Sequence, residues 1–221
     1  MSELRILFIG PAGAGKGTQC AKLSEEFGLE HISTGDLIRS EIKSGSELGN
    51  KVKSIVEAGN LVSDDIVNEI VKNKLDRTKR FVLDGYPRTK EQAEFLNSVT
   101  NLHYIFSLEV NKENLVERLS GRRLCTGTNK PGCKGMFHIA FNPPKVEGKC
   151  DLCGSDLYQR KDDNPETIEK RINSYESETG TPLKGFYGSG DKGEFINIEA
   201  DEAPGMVYEA ITSKLKAVAR K

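Results

Sequence analysis

Apolar residues along the chain gather into short runs separated by longer amphipathic stretches. Leu4 to Ile9 (LRILFI) is nearly continuous, which predicts a buried strand. Phe81 to Leu83 and Tyr104 to Val110 repeat the type, and a weaker run spans Phe195 to Ile198. A glycine-rich turn after Ile9 opens onto a helical segment from Lys16 to Phe27. Ile66, Val67, Ile70 and Val71 fall on one helix face, and Leu115, Val116 and Leu119 repeat that geometry. Met206, Val207, Ala210, Ile211, Leu215 and Val218 predict a closing amphipathic helix. Asn164-Pro165 reads as an N-cap followed by proline in the first turn, so a helix starts there. Buried strands alternating with helices predict an α/β fold, a parallel sheet with helices on both faces.

One stretch breaks this rhythm. From Thr126 to Gly154 the chain is rich in Gly, Pro, Lys and Cys and has no helical period. A structureless loop of that length does not suit a compact domain, so the segment reads as a small subdomain or lid.

Composition narrows the function classes. The chain has 221 residues, with 32 Lys+Arg against 33 Asp+Glu and a net charge of −1. That balance supplies no electrostatic drive toward nucleic acid or a membrane surface. No run approaches the roughly 18 apolar residues that span a bilayer, and the N-terminal apolar run is too short for a signal peptide. A soluble intracellular protein is expected, with one core and an insertion. Four of the five cysteines (Cys125, Cys133, Cys150 and Cys153) crowd into one stretch, while Cys20 stands alone in the first helix. In a reducing compartment such a group suggests metal rather than disulfides.

The strongest chemical signal is GPAGAGKGT, Gly10 to Thr18, set between a predicted strand and a predicted helix. Its glycines let backbone N–H groups approach a phosphate chain, and the helix N-terminus adds a favourable dipole. Lys16 reaches toward the terminal phosphates as a point charge. The strict pattern places Ser or Thr after the lysine to ligate Mg²⁺, but Gly17 stands there and Thr18 follows. A second signal is FVLDGYPRT, Phe81 to Thr89. Ligands of open parallel sheets bind beyond the C-terminal strand ends, which puts Asp84 beside the phosphate loop facing Mg²⁺. Arg88 follows within a turn, suited to a bidentate phosphate contact. Arg39, Arg118, Arg122, Arg123, Arg160 and Arg171 complete a set of arginines. Singly each reads as solvated surface charge. Arg122 and Arg160 bracket the lid-like segment, however, so closing it brings positive charge over bound phosphates.

With these motifs in hand, the chain resembles the adenylate kinases of the long-lid type, within the nucleoside-monophosphate kinases. The resemblance runs through GPAGAGKGTQ, HISTGDLIR, SGSELG, AGNLVSDD, FVLDGYPRT with Gln92, GRRL, FHIAFNPPK and YQRKDD. It implies a P-loop doubly wound parallel sheet with flanking helices, a helical AMP-binding insertion at 34–63 and a lid at 122–160. The core is then 1–33, 64–121 and 161–221. It further implies reversible phosphoryl transfer from MgATP to AMP, giving two ADP without a covalent intermediate. Gly13, Ala14, Gly15, Lys16, Gly17 and Thr18 would cradle ATP, Arg118 would stack on its base, and Met136 and Phe137 would touch it from the lid. Thr34, Arg39, Asn60, Leu61, Val62, Gly85, Tyr86, Pro87, Arg88 and Gln92 would hold AMP, with Gln92 reading the adenine edge. Arg160 and Arg171 join that acceptor set. Lys16, Arg88, Arg122, Arg160 and Arg171 would clamp the phosphates through transfer, and Asp84 would act on Mg²⁺ through its waters. Asp162 and Asp163 match a pair coupled to lid closure. A family contact to the donor base near Glu202 does not align.

Some long lids of this family hold a structural Zn²⁺ on two Cys-x-x-Cys knuckles. Cys150 and Cys153 form such a knuckle, whereas seven residues (TGTNKPG) separate Cys125 from Cys133. Zinc on the four thiolates is one reading; free thiols in a lid held by hydrogen bonds and packing is the other. Lone Cys20 reads as a small buried residue. GTP in place of ATP, or a non-catalytic nucleotide switch, are the alternative functions. A zinc-ribbon nucleic-acid module is disfavoured by the neutral charge. The expected partners are ATP, AMP and ADP, with no nucleic acid and no membrane; the expected state is a cytoplasmic monomer.

Overall fold

The computed structural model describes residues 3–76 and 78–216; Val218, the last apolar position of the expected closing helix, lies outside them. In chain order the strands are β1 (Leu4–Ile9), β2 (Glu30–Ser33), β3 (Arg80–Asp84), β4 (Tyr104–Glu109), β5 (Arg122–Cys125), β6 (Met136–His138), β7 (Leu157–Tyr158) and β8 (Glu194–Glu199). The helices are α1 (Lys16–Phe27), α2 (Thr34–Ser44), α3 (Glu47–Glu57), α4 (Asp64–Leu75), α5 (Lys90–Val99), α6 (Lys112–Ser120), α7 (Pro165–Ser174), α8 (Thr181–Tyr187) and α9 (Pro204–Lys216). A π-helical turn, Tyr175–Gly180, joins α7 to α8. Five strands make one parallel sheet in the order β2-β3-β1-β4-β8, and β6-β5-β7 make a separate antiparallel sheet.

The strand period of two decides which side chains feed which half of the core. Ile6 and Phe8 of β1 point into one cluster with Val82 and Phe106, covered by α1, α6, α7 and α9. Leu7 and Ile9 point the other way, joining Leu83 and Ile105 beneath α3, α4, α5 and α8. Both faces are covered, so the inner strands are apolar without alternation. That is why β1, β3 and β4 are readable as hydrophobic runs.

The expected helix start is also present. The Asn164 side chain accepts from Thr167 N–H at 3.0 Å, with Pro165 in the first turn.

Several elements differ from their sequence reading. β2 was no apolar run at all, because in Glu-His-Ile-Ser only Ile32 is buried. β4 stops at Glu109 rather than Val110. Val116 of α6 and Met206 of α9 sit on apolar faces by spacing yet are 39% and 57% exposed, while Leu115, Leu119, Val207, Ile211 and Leu215 do the packing. The stretch from Thr126 to Gly154 belongs to a folded unit, the small antiparallel sheet and its turns. Among the described residues no helix is long and apolar enough to cross a membrane.

Candidate active site

The phosphate loop closes tightly between β1 and α1. Gly13 has φ 87°, and a Cβ there would stand 3.0 Å from Leu119 Cγ and 3.2 Å from Leu115 O, so only glycine fits. Lys16 Nζ donates to the carbonyls of Gly10 (2.6 Å) and Pro11 (2.8 Å), which folds its ammonium over the loop. Burial pulls the Lys16 pKa down to about 8, against the pull of the Asp84 carboxylate that favours the charged form.

Asp84 ends β3, in register with Phe8 of β1 and Ser33 of β2. Burial alone would raise its carboxyl; His31, together with the charges of Lys16 and Arg88, outweighs this and holds it below the ordinary carboxylate value. His31 Nε2 lies 3.7 Å from Asp84 Oδ2, too long for a hydrogen bond. Asp84 is therefore an ionised carboxylate at the mouth of the loop. A Cβ at position 17 would lie 3.4 Å from Asp84 Oδ2, so Gly17 keeps the space in front of that carboxylate open.

On the other side of Asp84 a cavity is lined by Thr34, Arg39, Asn60, Leu61, Val62, Gly85, Arg88, Gln92 and Arg171, nine of the twelve residues expected to hold an acceptor. Thr34 Oγ1 donates to Gly85 O at 2.8 Å, fixing the start of α2 to the end of β3. Gln92 is buried, its Oε1 accepting from Arg88 N–H (2.7 Å) and its Nε2 donating to Asp64 Oδ1 (2.7 Å). Asp64 also accepts from Thr89 Oγ1, so α4 and α5 hold the amide in one orientation. The structure does not bring the other three to the cavity wall. Tyr86 is fully buried with its hydroxyl donating to Asn68 Oδ1, and Pro87 is buried beside it. Arg160 pairs instead with Asp36 at 3.6 Å.

The arginines do not stand as free charges. Arg122 donates through Nε and Nη2 to the two oxygens of Asp163, at 2.9 and 2.6 Å. Arg171 Nη1 pairs with Asp162 Oδ2 at 2.8 Å and reaches Asp163 Oδ1 at 3.3 Å. Arg39 Nη2 donates to Asp36 Oδ1 at 2.6 Å. Enclosure by protein and repulsion from Arg171 lower the pKa of Arg88, yet its side chain opens to the cleft, so solvent keeps it charged. Lys16, Arg39, Arg88, Arg122, Arg160 and Arg171 face Asp36, Asp84, Asp162 and Asp163, so positive charge is in excess. An anionic ligand of several charges suits that excess, because it replaces carboxylates already arranged around the same guanidinium groups.

On the loop side Arg118 donates to Ala200 O (2.8 Å) and Asp201 O (2.9 Å), fixing the turn after β8. Asp201 accepts in turn from Asn111 and Asn114. Sequence reasoning left this turn unassigned, and no local signal marks it, since its partners come from α6. Met136 presents a half-exposed side chain on β6, whereas Phe137 packs into the interior of the lid. His31 and Asp64 were also missed; Asp64, in the first turn after Ser63, carried the ordinary signature of a helix start.

The four lid cysteines converge. Cys125 and Cys153 Sγ are 3.4 Å apart, Cys133 and Cys150 Sγ are 3.8 Å apart, and all four lie within 4.8 Å of one another. A tetrahedral zinc with Zn–S near 2.3 Å sets its sulfurs roughly 3.8 Å apart, so the cluster fits that ion. The irregular first spacing is absorbed by a loop. Asn129 N–H donates to Ser155 Oγ (2.8 Å), Asn129 Nδ2 donates to Cys153 O (3.1 Å), and Cys133 N–H returns to Lys130 O (3.0 Å).

Comparison with known proteins agrees with this geometry. The family model described as "Adenylate kinase" matches residues 8–192. The adenylate kinase of Carboxydothermus hydrogenoformans is 42% identical, covering 96% of this chain and 100% of its own. That of Haloarcula marismortui is 44% identical, covering 98% of this chain and 99% of its own. That of Alkaliphilus oremlandii is 43% identical, covering 96% and 98%.

Proposed function

This chain belongs to the adenylate kinase family, enzymes of nucleotide phosphoryl transfer, and within that activity we propose that it moves the γ-phosphoryl group of MgATP to AMP, giving two ADP. The observation that carries this reading is the excess of cations between two binding regions that share Asp84 and Arg88, the phosphate loop on one side and the Thr34–Gln92 cavity on the other.

The geometry supports the following roles. The loop from Gly13 to Thr18 and Lys16 receive the donor phosphates, with Arg118, Met136 and Phe137 on the donor side. Thr34, Arg39, Asn60 to Val62, Gly85 to Arg88 and Gln92 form the acceptor side, Tyr86 and Pro87 as its buried support. Arg122, Arg160 and Arg171 exchange their carboxylate partners for phosphate oxygens, and Arg88, whose Nε donates to Gly85 O, joins them in spreading charge over the group in flight. Mg²⁺ bound with ATP would neutralise phosphate charge, and Asp84, an ionised carboxylate at the mouth of the loop, is the residue that would hold it through its waters. Four-cysteine zinc, where bound, would be held by Cys125, Cys133, Cys150 and Cys153 and would stabilise the lid.

Residues 122–160, with their own sheet, act as the lid; 34–63, with α2 and α3, act as the acceptor-binding segment; the remainder is the core. Closing both over the sheet edge excludes water, which otherwise competes with AMP for the phosphoryl group. Both sides of the site come from one chain, which supports action as a monomer, and the five free thiols support a reducing compartment, the cytoplasm.

The test is a coupled assay with Mg²⁺ and every pairing of ATP or GTP with AMP, CMP, UMP and GMP. ADP forms fast only from ATP plus AMP, and Arg88→Ala lowers kcat by about 10²–10³-fold. Preference for GTP overturns the donor. Tight ATP binding without transfer to any monophosphate overturns the kinase reading in favour of a switch.

A further inference from the structure

Behind the phosphate loop three side chains from three elements meet. Cys20 of α1 is fully buried, His31 of β2 has a side chain 9% exposed, and Asp84 ends β3. The thiol, a ring nitrogen of His31 and a carboxylate oxygen lie within 4.8 Å of one another. His31 Nε2 is buried, aimed at Asp84, and finds no hydrogen-bond partner. Buried polar atoms are almost always satisfied, so such a nitrogen asks for a ligand.

We propose that Cys20, His31 and Asp84 form a second divalent-metal site, of the Zn²⁺ class and separate from the lid cysteines, whose occupancy blocks phosphoryl transfer. The three donors are the three kinds of ligand zinc prefers, and a fourth position is left to water. Ligands about 2.0–2.3 Å from a tetrahedral ion lie roughly 3.3–3.8 Å apart. The His31–Asp84 pair, at 3.7 Å, is within a few tenths of an ångström of the roughly 3.3–3.5 Å that a nitrogen and an oxygen on one zinc ion keep. Mg²⁺ demands an octahedral oxygen shell and is excluded by the thiol and the imidazole. Two features leave the site reachable. Gly17 puts no side chain in front of Asp84 Oδ2, and His31 borders a cavity of about 220 Å³ that it shares with Glu30, Asp36, Lys74 and Lys134.

Binding is a proton-for-metal exchange. The Cys20 S–H bond breaks, its proton passes to solvent, and bonds form from zinc to sulfur, imidazole nitrogen and carboxylate oxygen. No redox partner is needed. The block on turnover rests on the reading of Asp84 above: a carboxylate committed to zinc no longer serves the nucleotide's Mg²⁺. Metal binding itself does not depend on that reading.

The experiment compares the full chain with Cys20→Ser and His31→Asn, equilibrated at buffered free zinc. Bound zinc is counted by elemental analysis, thiolate ligation is read from the charge-transfer band on Co²⁺ substitution, and turnover is followed over the same zinc range. Wild type is expected to hold one more equivalent than either variant and to release a proton as it binds. The zinc concentration that halves turnover, relative to each protein's own zinc-free rate, rises about 10–100-fold in the variants. Because the comparison is a difference of one equivalent, it counts this site whatever the lid holds, and it decides the site even where turnover fails. Equal zinc content in all three proteins overturns the proposal. An extra equivalent in wild type that leaves turnover untouched overturns the block.

Discussion

The main sheet and the lid fasten their strands by different means. In the sheet Ile6, Leu7, Val82, Leu83, Ile105 and Phe106 are all without solvent contact, sandwiched between helices. In residues 122–160 the buried hydrophobic side chains are Phe137 and Cys150, while Ile139, Phe141, Val146, Leu152 and Tyr158 are 42–68% exposed. A unit with so little apolar burial does not hold itself by the hydrophobic effect and needs a staple. The cysteine cluster, with the Asn129 bonds that cross it, stands where that staple belongs. The difference suits the two roles proposed above: a sheet that fixes the phosphate loop in place, and a lid that would move as a body without unfolding.

Removing the staple has the largest expected effect, and it is confined to the lid. Structural zinc contributes on the order of 10 kcal/mol in small metal-dependent folds, so Cys150→Ser or chelation melts β5, β6 and β7 while the sheet persists. Limited proteolysis reads this out: cleavage concentrates between Thr126 and Gly154, with the main thermal transition nearly unmoved. A lid that stays resistant after chelation means it is held by hydrogen bonds and packing alone. In the sheet the reverse holds. Leu7→Ala leaves a cavity between β1 and the helices and costs about 2–5 kcal/mol, lowering the single cooperative transition seen by both calorimetry and circular dichroism. A smaller loss would mean the core collapses around the gap.

The same contrast explains what the sequence disclosed. β1, β3 and β4 are covered on both faces and so announce themselves as apolar runs, whereas β2 buries only Ile32 and has no such run. The lid strands, two to four residues long and mostly half-exposed, carry no period, and the lid was legible only through its cysteines and its break in rhythm. The phosphate loop was legible because its parts are contiguous. Carboxylate partners of the arginines were not, since Arg122 and Asp163 stand 41 residues apart and only the fold brings them together. For the same reason the pairing of Gln92 with Asp64 left no trace, although both residues sit in recognisable helix starts.

A weaker effect separates the cation of the core from the guanidinium groups nearer the lid. The folded pKa of Lys16, about 8, lies below the ordinary lysine value of 10.5, so the lysine is charged below pH 8 and loses its proton above it. A polyphosphate favours the charged form. Binding of ATP therefore weakens as pH rises through about 8, and above that pH it takes up a proton. The expected loss is up to about tenfold between pH 7 and 9, less to the extent that water reaches the half-buried ammonium. Calorimetric titration in buffers of different ionisation enthalpy measures both quantities, and Lys16→Met flattens them. An ATP affinity in wild type that is level across this range would place the lysine's proton out of reach of pH.

The smallest effect tests whether the lid's outer apolar residues hold anything. Val146 is 62% exposed, and the turn it occupies is closed by backbone, Lys149 N–H donating to Val146 O at 3.0 Å. Val146→Ser keeps that bond and removes only solvated methyl groups, so lid stability, followed by protease resistance, changes by less than about 0.5 kcal/mol. Leu152→Ser, between two of the clustered cysteines, is expected to be as mild, because its side chain faces water at 68% exposure while the neighbouring thiols face inward. A loss above about 1 kcal/mol for either would mean that these side chains pack on something in solution, and that the lid draws stability from apolar contact after all.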